Sequence, residues 1–234
     1  CNSENDQMVI TITSAPTVSA GADQSLCGNN ADATLAGSIT IATGGIWTGG
    51  GGAFAPNANA LNAIYSPSAG EITAGSVTLT LTSSGNGTCT AVADNVTLTY
   101  SAIPTANAGS DVTRCANNAA VTLAGSVTVA TGGLWSGGAG TYVPNANTLN
   151  AVYTPSAAEI TAGTTTLTLT TSGNGNCNSV NDQMVITITA APTVNAGSDE
   201  TVCANNPNVA LAGAVTIATG GVWSGGTGTY APNA

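Results

Sequence analysis

The chain repeats itself every 88 residues, and this period constrains its fold more than any other feature. The segment LAGSITIATGGIWTGG at 35–50 recurs as LAGSVTVATGGLWSGG at 123–138 and as LAGAVTIATGGVWSGG at 211–226. Self-similarity at a fixed spacing is typical of arrays in which one structural unit is copied along the chain. The sequence therefore predicts tandem copies of one small domain.

The phase of the repeat sets the expected domain boundaries. Two complete copies span 16–103 and 104–191. Residues 1–15 match the end of a preceding repeat, and residues 192–234 match the start of a further, truncated one. We therefore expect the sequence to be a piece of a longer array.

Charge in this chain is scarce and mostly negative. Charged residues make up 5% of the sequence, with one Lys or Arg, no His and eleven acids, for a net charge of −10. Nucleic acids and anionic membrane surfaces are bound through Lys and Arg, so we expect neither as a partner, nor direct membrane insertion. Without His or Lys, a Ser-His-Asp triad and a Schiff base are excluded. We therefore expect that the chain has no enzymatic activity and binds no cofactor.

The secondary structure of each repeat is predicted to be β throughout. SVTLTLT at 76–82 and DNVTLTY at 94–100 alternate apolar residues with polar ones, as half-buried strands do. The matching strand at 6–12 places Met8, Ile10 and Ile12 on its buried face. Other strands are expected at 17–26, 34–42 and 61–66, around Trp47 and near Ala53. Seven short strands in under 90 residues are typical of an immunoglobulin-like β-sandwich.

A tryptophan recurs on the expected third strand of each repeat. Immunoglobulin-like sandwiches bury a tryptophan there between the sheets, and large aromatic side chains mostly fill cores. The alternative is an exposed ring that stacks on sugars, flanked by the glycines of GGIWTGGGG at 44–52. We expect the core position for all three residues: Trp47, Trp135 and Trp223.

Six cysteines form two series with the period of the repeat, namely Cys1, Cys89 and Cys177, and Cys27, Cys115 and Cys203. Metal sites usually need clustered Cys and His ligands, and this sequence has neither a CxxC pair nor a histidine. Disulfides formed in an oxidising compartment are the better interpretation. We therefore expect no metal.

The positions of the cysteines favour bonds between repeats. Cys27 precedes the second expected strand and Cys89 follows the sixth, which places them at opposite ends of a sandwich, on the order of 30 Å apart at ~3.3 Å per residue. A disulfide tolerates only about 7 Å between Cα atoms. At the junction of the two full repeats, however, Cys27 would face Cys177. We predict that this pair forms an inter-domain disulfide.

The four other cysteines would then pair with repeats outside the fragment or with incomplete units: Cys1, Cys89, Cys115 and Cys203. The alternative keeps each bond inside one repeat and joins Cys27 to Cys89 and Cys115 to Cys177. A bond at each junction would limit bending, and the extended backbone favoured by Pro16, Pro104 and Pro192 would act in the same direction.

Acidic residues also recur at equivalent places. Glu71 and Glu159 lie in EITAG segments and are expected at solvated strand corners. The alternative, a carboxylate pair that does acid and base work in an active site, is not expected because copies 88 residues apart would not converge in one pocket. Asp23, Asp111 and Asp199 lie in AG-x-D turns and are expected to cap nearby backbone N–H groups. The alternative for these aspartates is calcium at the domain junctions, although calcium usually requires several clustered carboxylates.

Three segments carry a resemblance to known proteins: PTVSAGADQSLC at 16–27, LNAIYSPSAGEITAGSVTLTLT at 61–82 and GNGTCTAVADNVTLTY at 85–100. They resemble the PKD-like and immunoglobulin-like repeats of very large surface proteins of Bacteroidota, in particular SprB-type gliding-motility adhesins. The resemblance implies tandem immunoglobulin-like (PKD-like) β-sandwich domains in an elongated rod, exported by type IX secretion. It further implies display at the outer-membrane-associated cell surface, with the gliding or secretion machinery as partner.

Two classes of function fit these observations. The first is the structural stalk of an adhesin, in which the main partners of each repeat are its neighbours in the same chain. The second is a carbohydrate-binding array that grips surface polysaccharide through a recurring aromatic platform formed by Phe54, Tyr142 and Tyr230. An accessory region of a secreted polysaccharide-active protein is a third, weaker alternative.

Overall fold

Two compact units make up the computed structural model, which describes residues 1–231. The first unit comprises Cys1–Ala106, Val127–Gly132 and Thr171–Val180. The second comprises Asn107–Ser126, Gly133–Thr170 and the chain from Asn181 onward. The last three residues of the segment 192–234, expected to begin a further repeat, lie outside the described residues.

The first repeat folds into nine short strands and one helix. They are β1 (Thr17–Ser19), β2 (Gln24–Cys27), β3 (Ala33–Thr34), β4 (Ser38–Thr40), β5 (Gly44–Thr48), β6 (Ala53–Ala55), β7 (Ile64–Ser66), α1 (Ala69–Ala74), β8 (Ser76–Ser84) and β9 (Ala93–Ser101).

Three sheets organise these strands. The largest has the order β2-β9-β8-β5, a second has the order β3-β7-β6, and β1 pairs with β4. The long strands β8 and β9 are antiparallel, whereas β2 runs parallel to β9 with Cys27 opposite Ser101. The inner faces of the sheets enclose a core whose largest fully buried side chains include Trp47, Tyr65, Leu79 and Leu81. Each repeat is therefore an immunoglobulin-like β-sandwich, as the sequence predicts.

The second repeat copies this arrangement in β10 (Thr105–Asn107), β11 (Val112–Cys115), β12 (Val121–Thr122), β13 (Ser126–Thr128), β14 (Gly132–Ser136), β15 (Thr141–Val143), β16 (Val152–Thr154), α2 (Ala157–Ala162), β17 (Thr164–Ser172) and β18 (Asn181–Thr189). Its largest sheet has the order β11-β18-β17-β14. The third segment contributes β19 (Thr193–Asn195) and β20 (Ala214–Thr216), which pair antiparallel.

The two helices correct the expectation that each repeat is β throughout. Ser68 caps α1 and forms a capping box with Glu71, and Gly75 ends the helix in the left-handed conformation at φ 81°. This Ser-x-x-Glu signal is a known helix start, but six residues are too few to show a helical period. Among residues 1–231, no helix is long and apolar enough to cross a membrane.

The first expected strands are also shorter than predicted. The stretch 17–26 is divided into β1 and β2 around Gly21, whose φ is +87°, and 34–42 is divided into β3 and β4. A left-handed glycine cannot continue an extended strand. The break lets the chain pass from the β1-β4 sheet to the parallel edge beside β9.

The strand expected at 6–12 is absent from the described structure, and its apolar side chains are exposed. Met8 and Ile12 are 81% and 90% exposed, and Ile10 is 72% exposed. Their equivalents Met184 and Ile188 are buried because β18 is paired on both sides, with β17 and with β11. Residues 6–12 have no such pairing among the described residues, so alternation alone does not bury them.

We expect Gly37→Ala to destabilise the first sandwich by about 1–3 kcal/mol, the usual cost of overpacking a core. A Cβ there would lie 2.7 Å from a Leu81 methyl, 2.9 Å from the Trp47 ring and 2.9 Å from the Leu61 carbonyl oxygen. The matched control is Gly70→Ala in α1, where a Cβ meets only the Ser68 hydroxyl at 3.9 Å.

The second repeat already has alanine at the position of Gly70, in Ala158, and alanine is favoured over glycine in helices by roughly 1 kcal/mol. Urea unfolding of both variants checks the pair. A Gly37→Ala chain as stable as Gly70→Ala would contradict the packing described for Trp47.

Candidate functional site

The candidate site is the junction disulfide, the bond between Cys27 and Cys177. Its sulfur atoms are 2.01 Å apart and its Cα atoms 4.9 Å apart, although the two residues are separated by 150 positions in sequence. Cys27 ends β2 of the first repeat, and Cys177 lies in the loop between β17 and β18 of the second. Both belong to the first compact unit. The bond predicted from the sequence is therefore present, and the alternative pairings within one repeat are not.

Side-chain amides flank the junction disulfide and form what we name the amide clamp, made of Asn29, Asn176 and Asn178. Asn29 Nδ2 donates to the Asn178 carbonyl oxygen, and the Asn178 backbone N–H donates to Asn29 Oδ1, both at 3.0 Å. Asn178 Nδ2 donates to the Asn29 carbonyl oxygen at 3.0 Å. Asn176 Nδ2 donates to the Ser25 carbonyl oxygen at 2.8 Å. The clamp holds the two cysteine-bearing segments together by bonds that do not involve sulfur.

Cys27 is fully buried in this site. The next residue, Gly28, is in close contact with its surroundings, since a Cβ there would lie 2.9 Å from Ile103 Cγ1 and 3.0 Å from Ile72 Cγ2. Ile72 belongs to α1 and Ile103 to the linker between the repeats. A side chain at position 28 would therefore push apart the helix, the linker and β2.

Two of the unpaired cysteines make the same sulfur contacts with the linker backbone as those in the junction disulfide. Cys89 Sγ lies 3.5 Å from Thr13 Oγ1 and 3.6 Å from the Ser14 carbonyl oxygen. Cys177 Sγ lies 3.5 Å from Ser101 Oγ and 3.6 Å from the Ala102 carbonyl oxygen, 88 residues further on. The geometry of one half of the junction thus recurs with the period of the sequence.

The other half of the junction recurs as well. Cys27 Sγ lies 3.8 Å from the Ala102 carbonyl oxygen, and Cys115 Sγ lies 3.8 Å from that of Ala190. Cys1 and Cys203 are exposed, whereas Cys89 and Cys115 are half-buried. The partners of these four cysteines remain a prediction.

The two recurring glutamates are not at solvated corners, which corrects the expectation from the sequence. Glu71 Oε2 accepts the Ser68 N–H at 2.8 Å, its Oε1 accepts the Gly51 N–H at 2.7 Å, and the Tyr65 hydroxyl donates to both oxygens. Glu159 makes the equivalent bonds and is only 8% exposed. Each carboxylate fastens a glycine loop to the start of a helix.

The glycine run at 49–52 is explained by this network. A Cβ on Gly50 would collide with the Tyr65 hydroxyl, and one on Gly52 with the Ser66 carbonyl oxygen. The Gly52 N–H donates to the Tyr65 hydroxyl at 2.9 Å. The glycines therefore permit close approach of the loop to tyrosine and glutamate.

One hydrogen-bond donor to the recurring glutamate differs between the two repeats. Burial alone would raise the pKa of Glu159, but hydrogen bonds from Thr165, Tyr153 and backbone N–H groups lower this pKa to about 2. Burial alone would likewise raise the pKa of Glu71, but hydrogen bonds from Ser68, Gly51 and Tyr65 lower this pKa below its ordinary value. Thr165 is replaced by Val77 in the first repeat, which removes one donor.

Two of the three recurring aspartates, Asp23 and Asp111, make long-range bonds. Asp23 Oδ1 accepts the Thr97 N–H at 2.8 Å, and Asp111 Oδ1 accepts the Val185 N–H at 2.8 Å, across 74 positions in each case. The turn that contains Asp23 is thereby tied to the last strand of its own repeat. Within residues 1–231, no group of three or more His, Cys, Asp or Glu residues could hold a metal ion.

The aromatic residues pack inward. Trp47 and Trp135 are each 2% exposed, and their indole N–H groups donate to the Ala60 and Leu149 carbonyl oxygens. Trp223 is half-buried against Gly213, because the segment 192–231 has no equivalent of the strands β8 and β9 that cover Trp47.

The three residues of the expected aromatic platform are half-buried. Phe54 packs on Tyr65 and Tyr142 on Tyr153, with ring centroids 4.9 and 4.8 Å apart. Tyr230 donates its hydroxyl to the Gly225 carbonyl oxygen. These contacts are packing and hydrogen-bonding contacts of the rings, not a flat exposed surface.

A scan against protein-family models found no match, and neither did a search of curated protein sequences. A search of solved structures found similar chains at low sequence identity. The chain is 14% identical to mouse cadherin-23 EC22-24 (TM-score 0.35, covering 75% of this chain and 67% of that one) and 10% identical to the I-band fragment I67-I69 from titin (TM-score 0.41, 77% and 68%). It is also 8% identical to Drosophila N-cadherin EC1-4 (TM-score 0.39). That match covers 75% of this chain and 50% of the N-cadherin chain.

We expect Asn29→Ala to make the junction disulfide easier to reduce, by roughly tenfold or more in the thiol–disulfide equilibrium constant. The substitution removes two hydrogen bonds, each contributing about 0.5–1.5 kcal/mol, and leaves the Asn178 N–H without its acceptor. Peptide mapping in glutathione buffers of graded ratio measures this constant. Asn117→Ala, the equivalent change beside Cys115, is the control, and identical titrations for the two variants would argue against the amide clamp.

We expect Thr165→Val to raise the pKa of Glu159, and the reciprocal Val77→Thr to lower that of Glu71, because each change removes or adds one hydroxyl donor to the carboxylate. Titration of the ¹³C-labelled carboxyl groups by NMR measures both values. A depressed pKa stabilises the fold above the unfolded-state value of about 4.3 and loses that stabilisation as the pH falls towards about 2 at Glu159. Thr165→Val should therefore shift acid unfolding of the second repeat to higher pH, and no shift in either variant would refute the assigned donor.

Proposed function

We propose that this chain is a structural stalk segment of a large, repetitive cell-surface adhesin, without enzymatic activity. The observation that carries the proposal is the disulfide between successive repeats, Cys27–Cys177. A bond of this kind joins copies of a domain to one another and builds no pocket for a substrate. The repeats 16–103 and 104–191 are the building units of the proposed stalk.

The composition and the disulfide support an extracellular location. Disulfides persist in oxidising environments outside the cytosol. The outward residues of the long strands are largely neutral, as in Thr78, Thr80, Thr97 and Thr99. Such a surface is solvated by hydrogen bonding and is insensitive to salt, because it offers few charges to screen.

The finer part of the proposal is attachment and gliding motility at the outer surface of a bacterium after type IX secretion. It is supported by the resemblance of segments 16–27, 61–82 and 85–100 to SprB-type repeats. On that proposal, the gliding or secretion machinery moves the chain and its repeats transmit the pull. Antibody against residues 16–191 should then label intact cells, with label that travels along the cell surface.

The carbohydrate-binding alternative is favoured by no contact among the described residues. Its candidate rings Phe54 and Tyr142 pack on buried tyrosines, and Trp47 and Trp135 are inaccessible to a sugar. Stalks and sugar-binding arrays also differ in solution, since only the second binds free glycans. A glycan array probed with the full chain separates the two classes.

The stalk proposal predicts that length grows linearly with the number of repeats. A nine-residue strand such as β8 spans about 30 Å, so each added 88-residue copy should extend the particle by roughly 30–40 Å. Small-angle scattering and negative-stain micrographs of chains with two, three and four full copies measure this increment. A maximum dimension that stays constant as copies are added would refute the stalk.

A further inference from the structure

We infer that the junction disulfide carries tension past residues 28–176, so that this stretch neither lengthens the chain when it unfolds nor breaks the chain when its backbone is cut. The inference rests on the proposed stalk function for its biological meaning. Its physical basis is the connectivity of a single bond, Cys27–Cys177.

The span of that bond exceeds the period of the repeat. The two cysteines are 150 positions apart and the period is 88. Tension that enters from the N-terminal side reaches Cys27 and crosses directly to Cys177, whose Cα is 4.9 Å away. Residues 28–176 form a closed loop in parallel with this short connection, so they remain slack while the bond is intact.

The segments that do carry tension lie outside the loop. On one side they are residues 16–27, with β1 and β2, and on the other side residues 177–191, with β18. β18 pairs antiparallel with β17 over residues 181–187 and parallel with β11 over residues 186–189. Both partner strands lie inside the slack loop, so they support β18 laterally without bearing the tension along it.

In a longer array of repeats, disulfides with this spacing would form overlapping loops. Cys89 and Cys115 repeat the contacts of Cys177 and Cys27 with linker carbonyl oxygens, which favours the same bond at every junction. Bonds that span 150 positions and recur every 88 overlap by 62, so every backbone bond in the interior lies inside at least one disulfide loop. A single proteolytic cut would leave such an array connected.

Bonds inside one repeat would have the opposite consequence. A Cys27–Cys89 bond spans 62 positions and leaves an unprotected stretch of 26 before Cys115. A cut in that stretch, which contains β9 and the linker, would sever the array. The offset between the two cysteine series therefore decides whether the tether tolerates a cut.

The first experiment uses the lone basic residue. Arg114 is exposed and lies inside the 28–176 loop, so trypsin in urea cuts the oxidised chain once, into residues 1–114 and 115–234. We use the full chain with Cys1→Ser, Cys89→Ser, Cys115→Ser and Cys203→Ser, which retains only Cys27 and Cys177. The fragments should stay joined on a non-reducing gel and separate on reduction. Fragments that separate without reductant would overturn the inference.

The second experiment measures the connection under force. The same variant is held between optical traps by peptide-ligated handles, which avoid thiol chemistry. Oxidised chains should release roughly 500 Å less contour length than chains in dithiothreitol, because about 150 residues at ~3.3–3.6 Å each stay enclosed. Chains cut after Arg114 should hold tension when oxidised, whereas cut chains that also carry Cys27→Ser should not form a tether.

If oxidised and reduced chains release equal contour lengths on unfolding, the inference that the disulfide carries tension past residues 28–176 is overturned. That result is distinct from failure of the stalk proposal, which is judged by the growth of particle length with the number of repeats. If oxidation shortens the released contour length but particle length stays constant as repeats are added, the disulfide still carries tension past residues 28–176, and only the stalk proposal fails.

Discussion

A covalent bond that spans more than one repeat is the constraint on which the mechanical argument depends. In the chain-entropy treatment, closing a loop of 150 residues stabilises the fold by about 5 kcal/mol, and closing one of 62 residues by about 4 kcal/mol. The difference is under about 1 kcal/mol, so stability alone barely distinguishes Cys27–Cys177 from a bond within one repeat. What the long span changes is connectivity, because loops longer than the period must overlap. The choice of partner is therefore a mechanical feature more than an energetic one.

Correct pairing requires that each cysteine meet one particular partner among several identical ones. The contacts of the sulfur atoms with linker carbonyls recur with the period, but the amide clamp does not. Asn176 and Asn178 flank Cys177, whereas threonines flank Cys89 as Thr88 and Thr90. A junction thus combines a repeated geometry that brings sulfur atoms together with local side chains that differ from one junction to the next. Hydrogen bonds such as those between Asn29 and Asn178 hold the ends in register independently of oxidation.

Much of the sandwich could be predicted because its determinants are local in sequence. The alternation at 76–82 predicts the buried face that contains Leu79 and Leu81, and the period predicts that the second repeat copies the first. The failures arise where the determinant is distant or brief. Asp23 bonds to Thr97 across 74 positions, which no local pattern reveals, and α1 is shorter than two helical turns. Its signal was present, however, in Ser68 three residues before Glu71 and in Gly75 after the last turn.

The distant aspartate bonds acquire a role once the path of tension is known. Residues 16–27 carry tension in the first repeat, and the parallel pairing of β2 with β9 holds their second half to the largest sheet, together with side-chain bonds from Thr99 and Ser101 to β2 carbonyl oxygens. The Ala20 N–H donates to Asp94 Oδ2 and the Thr97 N–H to Asp23 Oδ1, both at 2.8 Å. Each bond joins the tensioned segment to β9 on the N-terminal side of that short pairing. Both bonds therefore fasten the tensioned segment to β9, a strand that is enclosed by the disulfide loop and bears no tension.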